Sequence, residues 1–423
     1  MEKIITIKNL KIAFSPNNEV VKDINLEIIR GKTTAIVGES GSGKTLTALS
    51  ILKLLPSSAK ITKGEIIFKD KNILSLTNNE IQKIRGNKIS TIFQEPMTSL
   101  NPLHTINKQI EEMILTHNKI NNSEAKAKTI ALLKEVGLDD IANRPKIYPY
   151  ELSGGQRQRA MIAMSIANNP DLLIADEPTT ALDVTIQMQI LELLLSIQKK
   201  LGMTMFFISH DLSVVKKIAD FIYVMKDGKI IENGSNEKIF KRAENIYTKE
   251  LLSSQSKKKI NLNKSAKTVL KIKNLDVWYP IKKGLLKKTI DHVKAINKIS
   301  FNLNEGESIG IVGESGSGKT SLILAILKLI KSKGKIIINN KDINLFNNRQ
   351  ILDLRKQIQI VFQDPFSSLS PRMNVEEIVS EGLDIHYPKL SKNEKKSMLI
   401  DILRNVQNFP KATRFTNNLT DDQ

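Results

Sequence analysis

The chain has 423 residues, too many for one ordinary domain and enough for two. With 40% apolar and 26% charged residues, the composition is globular and excludes a disordered or fibrous chain. The formal net charge of +20 could indicate nucleic-acid binding, but the lysines are scattered, which argues against it. Cysteine is absent, which excludes disulfides, cysteine-ligated metals and cysteine nucleophiles and fits a reducing compartment.

The beginning of the chain, MEKIITIKNL, has charged residues where a secretory signal requires an apolar core, so export is not expected. The longest apolar stretch, Ser321–Ile330, contains a lysine and is far shorter than a membrane span. We therefore expect a cytoplasmic chain that does not cross a membrane.

The first informative pattern is a strand, a glycine-rich loop and a helix. Thr33–Val37 is a short β-branched run, and Leu46–Leu55 has helical apolar spacing up to Pro56. Between them GESGSGKT lets backbone N–H groups and a helix dipole face phosphate oxygens. We expect Lys44 to reach the β- and γ-phosphates and Thr45 to bind Mg²⁺. The predicted nucleotide-binding residues here are Gly38, Glu39, Ser40, Gly41, Ser42, Gly43, Lys44 and Thr45.

Two further segments are candidates for phosphate chemistry. Gln94 follows a short apolar run. Downstream, LSGGQ at Leu152–Gln156 precedes a helical sequence over 157–167, so Ser153 is a predicted helix cap and the glycines leave N–H groups open to an anion. The predicted binding residues of this segment are Ser153, Gly154, Gly155 and Gln156.

An acidic pair follows the apolar run DLLIA at 171–175. Asp176 can anchor Mg²⁺, which takes few protein oxygens beside phosphate, and Glu177 is a candidate to deprotonate the attacking water. His210 ends the next apolar run, which starts at Thr204. These runs alternate with predicted helices over 186–199 and 212–218, which predicts an α/β fold with a mostly parallel sheet.

The chain repeats itself. GESGSGKT recurs at Gly313–Thr320. TIFQEPMTSLNP at 91–102 has a similar counterpart, IVFQDPFSSLSP, at 360–371. We therefore predict a first repeat over 1–252, a polar, basic linker over 253–267 and a second repeat over 268–423. The corresponding predicted site residues of the second repeat are Tyr279, Gly313, Glu314, Ser315, Gly316, Ser317, Gly318, Lys319, Thr320 and Gln363, with Thr320 and Gln363 as metal ligands.

Taken in order, the octet, Gln94, LSGGQ, DLLIADEP, Ala181-Leu182-Asp183 and His210 resemble the ATP-binding subunit of ABC transporters. The resemblance covers all of the first repeat and the first part of the second. It implies an ABC-type P-loop NTPase fold with a helical subdomain, ATP and Mg²⁺ as cofactors, and a head-to-tail sandwich in which one octet faces another repeat's LSGGQ across the nucleotide.

The resemblance also implies individual roles. Phe14 would stack on adenine, Gln94 would bind Mg²⁺ and couple to the membrane partner, and Glu177 would be the base. His210 would hold the γ-phosphate, and Asp183 would lie at the contact between repeats. A core role for Phe14 and a surface role for Gln94 are the alternatives.

QEPMTSLNP, QDPFSSLSP, and NIYTKELL at 245–252 look like oligopeptide, dipeptide and microcin C importers, and the tandem arrangement is most similar to the microcin C type. The segment Val277–Val293 is similar to an insertion found in the second ATPase of such importers. We expect an ATPase at the inner face of the cell membrane that powers permease subunits. A periplasmic or surface peptide-binding protein would serve it indirectly.

The second repeat departs from the family pattern. Where LSGGQ is expected, the chain reads LTDDQ at Leu419–Gln423, and it has no counterpart of 157–252. Carboxylates in that loop would repel a γ-phosphate, by roughly 4 kcal/mol for two unit charges about 4 Å apart. We expect an incomplete second repeat of low stability, and two complete ATP sites only where two chains pair their first repeats.

Two alternative functions remain open at this point. One is a degraded gene product that retains ATP binding and has no transport role. The other is a soluble ABC ATPase that acts on ribosomes or nucleic acid, which the net charge favours and the importer-like segments oppose.

Overall fold

A computed structural model describes residues 2–16, 18–94, 99–180, 182–253, 266–283, 288–314, 316–362 and 368–405. The chain divides into two compact units, residues 1–259 (unit one) and 260–423 (unit two), and the division falls within the predicted linker. Ala181, Ser315, Gln363 and the LTDDQ segment lie outside the described residues.

The strands of unit one form two sheets. Their bounds are β1 (Lys3–Ser15), β2 (Asn18–Ile29), β3 (Thr33–Val37), β4 (Lys60–Phe68), β5 (Lys71–Asn72), β6 (Ile89–Ile92), β7 (Leu172–Asp176), β8 (Thr204–Ser209), β9 (Phe221–Lys226) and β10 (Lys229–Ser235). One sheet has the order β10-β9-β3-β8-β7-β6 and is parallel except for the β9–β10 pair. The other is antiparallel, in the order β2-β1-β4-β5. The predicted α/β class with a mostly parallel sheet is confirmed.

The helices of unit one include α1 (Lys44–Ile51), α2 (Asn78–Ile84), α3 (Ile106–His117), α4 (Asn122–Glu135), α5 (Asp139–Ala142), α6 (Gly154–Ile166), α7 (Val184–Leu201), α8 (Leu212–Ile218), α9 (Asn236–Arg242) and α10 (Ile246–Ser253). Short 3₁₀ helices span Ile73–Ser75 and Pro149–Glu151. Three of these helices differ from the sequence prediction at both ends. Helix α1 spans 44–51 where 46–55 was expected, α6 spans 154–166 where 157–167 was expected, and α7 spans 184–201 where 186–199 was expected.

The parallel sheet separates two hydrophobic cores. Alternate residues of a strand point to opposite faces, so Phe206 faces one core and Phe207 the other. The Phe206 core includes α1 and the antiparallel sheet, and the Phe207 core includes the helices α3 to α8. Both phenylalanines are fully buried, and such burial contributes about 2 to 3 kcal/mol each. Burial on both faces explains why β3, β7 and β8 show no alternation of apolar and charged residues.

Sheet register brings the candidate residues to one edge. Val37 is opposite Ser209, and Asp176 is opposite Ile208, so β3, β7 and β8 end together. The loop 38–43, Glu177 and His210 follow these strand ends directly. In parallel sheets ligands bind at this carboxyl edge.

Unit two has one described sheet, antiparallel, in the order β12-β11-β13-β14. Its elements are β11 (Thr268–Lys283), β12 (Lys288–Asn304), α11 (Lys319–Ile326), β13 (Lys333–Ile338), β14 (Lys341–Asp342), a 3₁₀ helix (Ile343–Leu345), α12 (Asn348–Gln357), α13 (Val375–His386) and α14 (Lys392–Asn405). Residues 307–314, the sequence counterpart of β3 and its loop, are not a strand. Across the described ranges of both units, no helix is long and apolar enough to cross a membrane.

Candidate functional site

The glycine-rich loop of unit one encloses the ammonium group of Lys44. Its Nζ donates to the carbonyl oxygens of Gly38, at 2.8 Å, and Glu39, at 2.7 Å, and the side chain is almost fully buried. Gly43 caps α1 in the left-handed region, at φ 103°. A Cβ at Gly38 would lie 2.0 Å from the carbonyl oxygen of Met225, so only glycine fits there. The loop is therefore a compact cradle of backbone groups at a helix N-terminus.

A hydroxyl and a carboxylate meet beside this cradle. Thr45 Oγ1 donates to Asp176 Oδ1 at 3.3 Å, so the first turn of α1 contacts the end of β7. Burial raises the pKa of Asp176 to about 6, and the hydrogen bond from Thr45 opposes that rise. Two hard oxygen donors next to a phosphate cradle fit the ligand preference of Mg²⁺. Thr45 and Asp176 are the residues that could hold it.

Glu177 is the centre of a hydrogen-bonded cluster. Its Oε1 lies 2.9 Å from His210 Nδ1, and its Oε2 accepts from Gln94 Nε2 at 3.2 Å and from Thr180 Oγ1 at 2.9 Å. Glu177 has φ 46°, a left-handed conformation that is uncommon outside glycine and is often found at functional sites. The turn after β7 thus directs the carboxylate towards the residues that follow β6 and β8.

This cluster shifts the pKa values of both ionisable partners. Burial would raise the pKa of Glu177, but the hydrogen bond with His210, its charge and the bond from Thr180 together lower it. The hydrogen bond to Glu177 raises the pKa of His210 against the opposite effect of burial. Glu177 is therefore held as a carboxylate, the form that a general base requires.

The LSGGQ segment begins α6 as predicted. Ser153 caps the helix, and a reciprocal capping box links it to Gln156. A Cβ at Gly155 would lie 2.9 Å from Cγ2 of Ile186, so close packing against α7 restricts this position. Asp183 caps α7 by accepting from the Ile186 N–H at 3.0 Å. Asp183 thus has a structural role within unit one, and its predicted place between repeats stays a prediction.

The aromatic candidates are partly exposed in both units. Phe14 lies near the end of β1 with 42% of its surface accessible, which argues against a core role, and its adenine contact stays a prediction. The hydroxyl of Tyr279 lies 3.1 Å from Ser321 Oγ, on the helix that follows the second octet. Lys319 contacts the carbonyl oxygens of Gly313, at 2.7 Å, and Glu314, at 2.6 Å. The two octets therefore fold alike around their lysines.

Two residues of the site were not predicted from the sequence. Thr180 has a weak signal, because it follows Glu177 by three residues at the end of a buried strand. Tyr247 accepts a hydrogen bond from the backbone N–H of Glu39, inside the glycine-rich loop. Its position in the NIYTKELL segment signalled only a family likeness, so sequence alone gave no reason to place it at the loop.

The chain matches a known protein family and is similar to named relatives. The family model described as "ABC transporter" matches residues 21–180 and 296–421. The chain is 47% identical to "Peptidoglycan transport ATP-binding protein YejF" of Agrobacterium fabrum, over 98% of this chain and 77% of the relative. It is 37% identical to "Glutathione import ATP-binding protein GsiA" of Escherichia coli (strain K12), over 90% and 67%.

Among solved structures the chain is similar to "Dimeric structure of a post-hydrolysis state of the ATP-binding cassette MJ0796 bound to ADP and Pi". The TM-score is 0.50 and the sequence identity 30%, over 55% of this chain and 98% of that one.

Proposed function

The chain belongs to the ABC transporter family and is an ATPase, and on that premise we propose that it powers a membrane-embedded importer of peptides. The observation that carries the proposal is the position of Glu177. Gln94, Thr180 and His210 hold it at the same sheet edge as the loop that encloses Lys44. A charged, oriented carboxylate beside a phosphate cradle is suited to ATP hydrolysis.

In the proposed reaction the octet binds the phosphates of ATP through backbone N–H groups and Lys44. Glu177 orients a water molecule and accepts its proton as the water attacks the γ-phosphorus. The bond from that phosphorus to the bridging oxygen of the β-phosphate breaks, ADP leaves, and His210 contacts the transferred phosphate. Bound at Thr45 and Asp176, Mg²⁺ would offset the charge of the phosphate oxygens. Gln94 links this centre to the segment after β6, which we propose contacts the permease. The Phe14 ring completes the proposed nucleotide site within the chain, and the Ser153–Gln156 turn and Asp183 complete it from a second copy of the chain.

The proposed substrate class rests on the relatives. The names of YejF and GsiA specify peptidoglycan transport and glutathione import, and both of those substrates contain peptide bonds. We infer that permease subunits bind the chain at the cytoplasmic face of the membrane and that a peptide-binding protein delivers the cargo. The test is reconstitution of the full chain with its permease in liposomes. We expect di- and oligopeptides to stimulate ATP turnover. If no peptide, glutathione or peptidoglycan fragment stimulates turnover, the importer proposal is wrong.

We further propose that two chains pair their 1–252 domains, each LSGGQ covering the other chain's octet. The dimeric state of the similar cassette supports this arrangement. Light scattering on the Glu177→Gln variant with ATP tests it: we expect the mass of a dimer with ATP and of a monomer without. A monomer that demonstrably binds ATP would contradict the pairing. The other proposed regions of the chain are a linker over 253–267 and a partial second nucleotide-binding domain over 268–423.

A further inference from the structure

A tyrosine behind the glycine-rich loop holds the peptide group on which Lys44 is anchored. The Tyr247 hydroxyl accepts from the N–H of Glu39 at 3.2 Å. That N–H shares a peptide group with the carbonyl of Gly38, which accepts from Lys44 Nζ at 2.8 Å. One planar peptide unit is thus fixed on one side by a phenol and on the other by an ammonium group.

This constraint matters because Gly38 leaves the peptide group that follows it free of side-chain restraint. Gly38 has φ 151°, in a region open to glycine and rarely adopted by other residues, so it contributes little stiffness to the loop. If the peptide group after Gly38 rotated, its carbonyl would turn away from the ammonium of Lys44. The hydroxyl of Tyr247 opposes that rotation by holding the N–H.

Tyr247 is itself firmly positioned. Its side chain is 7% exposed, and the ammonium of Lys226, at the end of β9, lies 4.3 Å from the ring centroid. Its backbone N–H donates to Asn245 Oδ1 at 2.9 Å. The preceding turn is fixed by Glu232 of β10, whose buried carboxylate accepts from the N–H groups of Glu244, at 2.7 Å, and Asn245, at 3.2 Å. Strands β9 and β10 therefore dock the segment 244–253 behind the loop.

We propose that Tyr247 is a positioning residue for ATP binding, and that the docked segment 244–253 preorganises the glycine-rich loop through it. The inference rests on the proposed function of the octet. It assigns to the segment after the last strand a role in nucleotide affinity, separate from the chemistry at Glu177. The hydroxyl, and not the aromatic ring, is the group responsible.

The test is Tyr247→Phe in the full chain, which removes the hydroxyl and keeps the ring beside Lys226. One lost hydrogen bond predicts that the Kd of ATP, measured in the Glu177→Gln background, rises about two- to tenfold. In the chain with Glu177 intact, KM should rise by the same factor, and kcat at saturating ATP should change less than about twofold.

Tyr223→Phe is the matched control. The Tyr223 side chain is 6% exposed, and its hydroxyl accepts from a backbone N–H, that of Glu27 in β2, at 3.0 Å. Both variants should lose stability, and Tyr223→Phe the more, because its hydroxyl also donates to the Glu27 carbonyl at 3.4 Å. Only Tyr247→Phe should weaken ATP binding. Equal Kd values for Tyr247→Phe and the parent, or equal shifts in both tyrosine variants, would overturn the inference.

A second variant covers the case in which Tyr247→Phe is insoluble. Asn245→Ala removes the acceptor that orients the N–H of Tyr247. This variant should also raise the Kd of ATP. An unchanged Kd would again overturn the inference. Failure of the proposed importer function would look different, because the parent chain would still bind and hydrolyse ATP, and no peptide would stimulate its turnover.

Discussion

The two octets have one sequence but lie in different surroundings. In unit one, β3 precedes the octet, pairs on both sides with β8 and β9, and is completely buried. In unit two, the matching residues 308–312 form no strand, and Val312 is 92% exposed where its counterpart Val37 is 0% exposed. Yet Lys44 and Lys319 each contact the carbonyls of the first two residues of their own octet. The glycine-rich loop is therefore a local structure, whereas the strand before it depends on its neighbours.

The loop and the strand differ because their hydrogen-bond partners lie at different distances along the sequence. The loop closes on itself through a lysine six residues from the carbonyl it contacts. A central parallel strand needs partners distant in sequence on both sides and apolar cover on both faces. Unit one supplies these from 204–226. Within the described part of unit two, the strands pair only in an antiparallel sheet that does not include residues 308–312.

The largest expected effect concerns turnover. Glu177 follows β7, one of the strands that unit one has and the described residues of unit two lack. If unit one performs all hydrolysis, Glu177→Gln should lower kcat about 10²- to 10⁴-fold, because the variant cannot accept a proton. Steady-state phosphate release by the full chain measures this.

Lys319→Ala is the control for that experiment, because it alters the second octet alone. We expect it to leave most of the turnover intact. Substantial phosphate release by Glu177→Gln that disappears in the double variant would instead mean that unit two hydrolyses ATP, and the contrast between the units would fail at the level of chemistry.

The features that could be predicted from sequence are the local ones, and those that could not depend on contacts between distant residues. The octet, the cap at Ser153 and the acidic pair at Asp176 are patterns of neighbouring residues, so their local structures were predictable. The cluster around Glu177 was only partly predictable, since the bond from Gln94 depends on β6 lying beside β7. The contact between Tyr247 and the loop joins residues far apart in the chain, and no periodicity or motif specifies it.

The next effect is on stability and depends on pH. Burial raises the pKa of Asp176 from 3.8 to about 6, so the folded protein holds this proton more tightly than the unfolded chain. The stabilisation is complete below pH 3.8 and is lost as pH rises through about 6. The loss corresponds to about 3 kcal/mol in the free energy of unfolding of unit one.

Asp176→Asn removes this titration. In chelator-containing, nucleotide-free buffer, the variant should be more stable than the parent at neutral pH, by up to about 3 kcal/mol, with the difference shrinking towards pH 4. Denaturant unfolding across this range measures it. Parallel pH profiles for the two proteins would show that the buried edge of β7 carries no such penalty.

A smaller effect tests the strand contrast directly. Val37→Ala removes fully buried methyl groups and should cost unit one about 2 kcal/mol. Val312→Ala, at the same motif position, should change stability by less than about 0.5 kcal/mol because the side chain is exposed. Denaturant unfolding, followed by a separate probe in each unit, measures the loss of stability that each substitution causes. Equal costs would mean that residues 308–312 are buried in a sheet in solution.

The smallest effect should be the same in both units. Thr105 caps α3 by accepting from the Lys108 N–H, and Asn374, its sequence counterpart, caps α13 by accepting from the Glu377 N–H. Because a cap acts within four residues, Thr105→Ala and Asn374→Ala should each cost their helix about 1 kcal/mol. Amide hydrogen exchange in the first turn should accelerate about fivefold in each case. If Thr105→Ala destabilises its helix and Asn374→Ala does not, local structure in unit two is also incomplete. The distinction between a local loop and a strand that depends on its neighbours would then no longer explain the difference between the units.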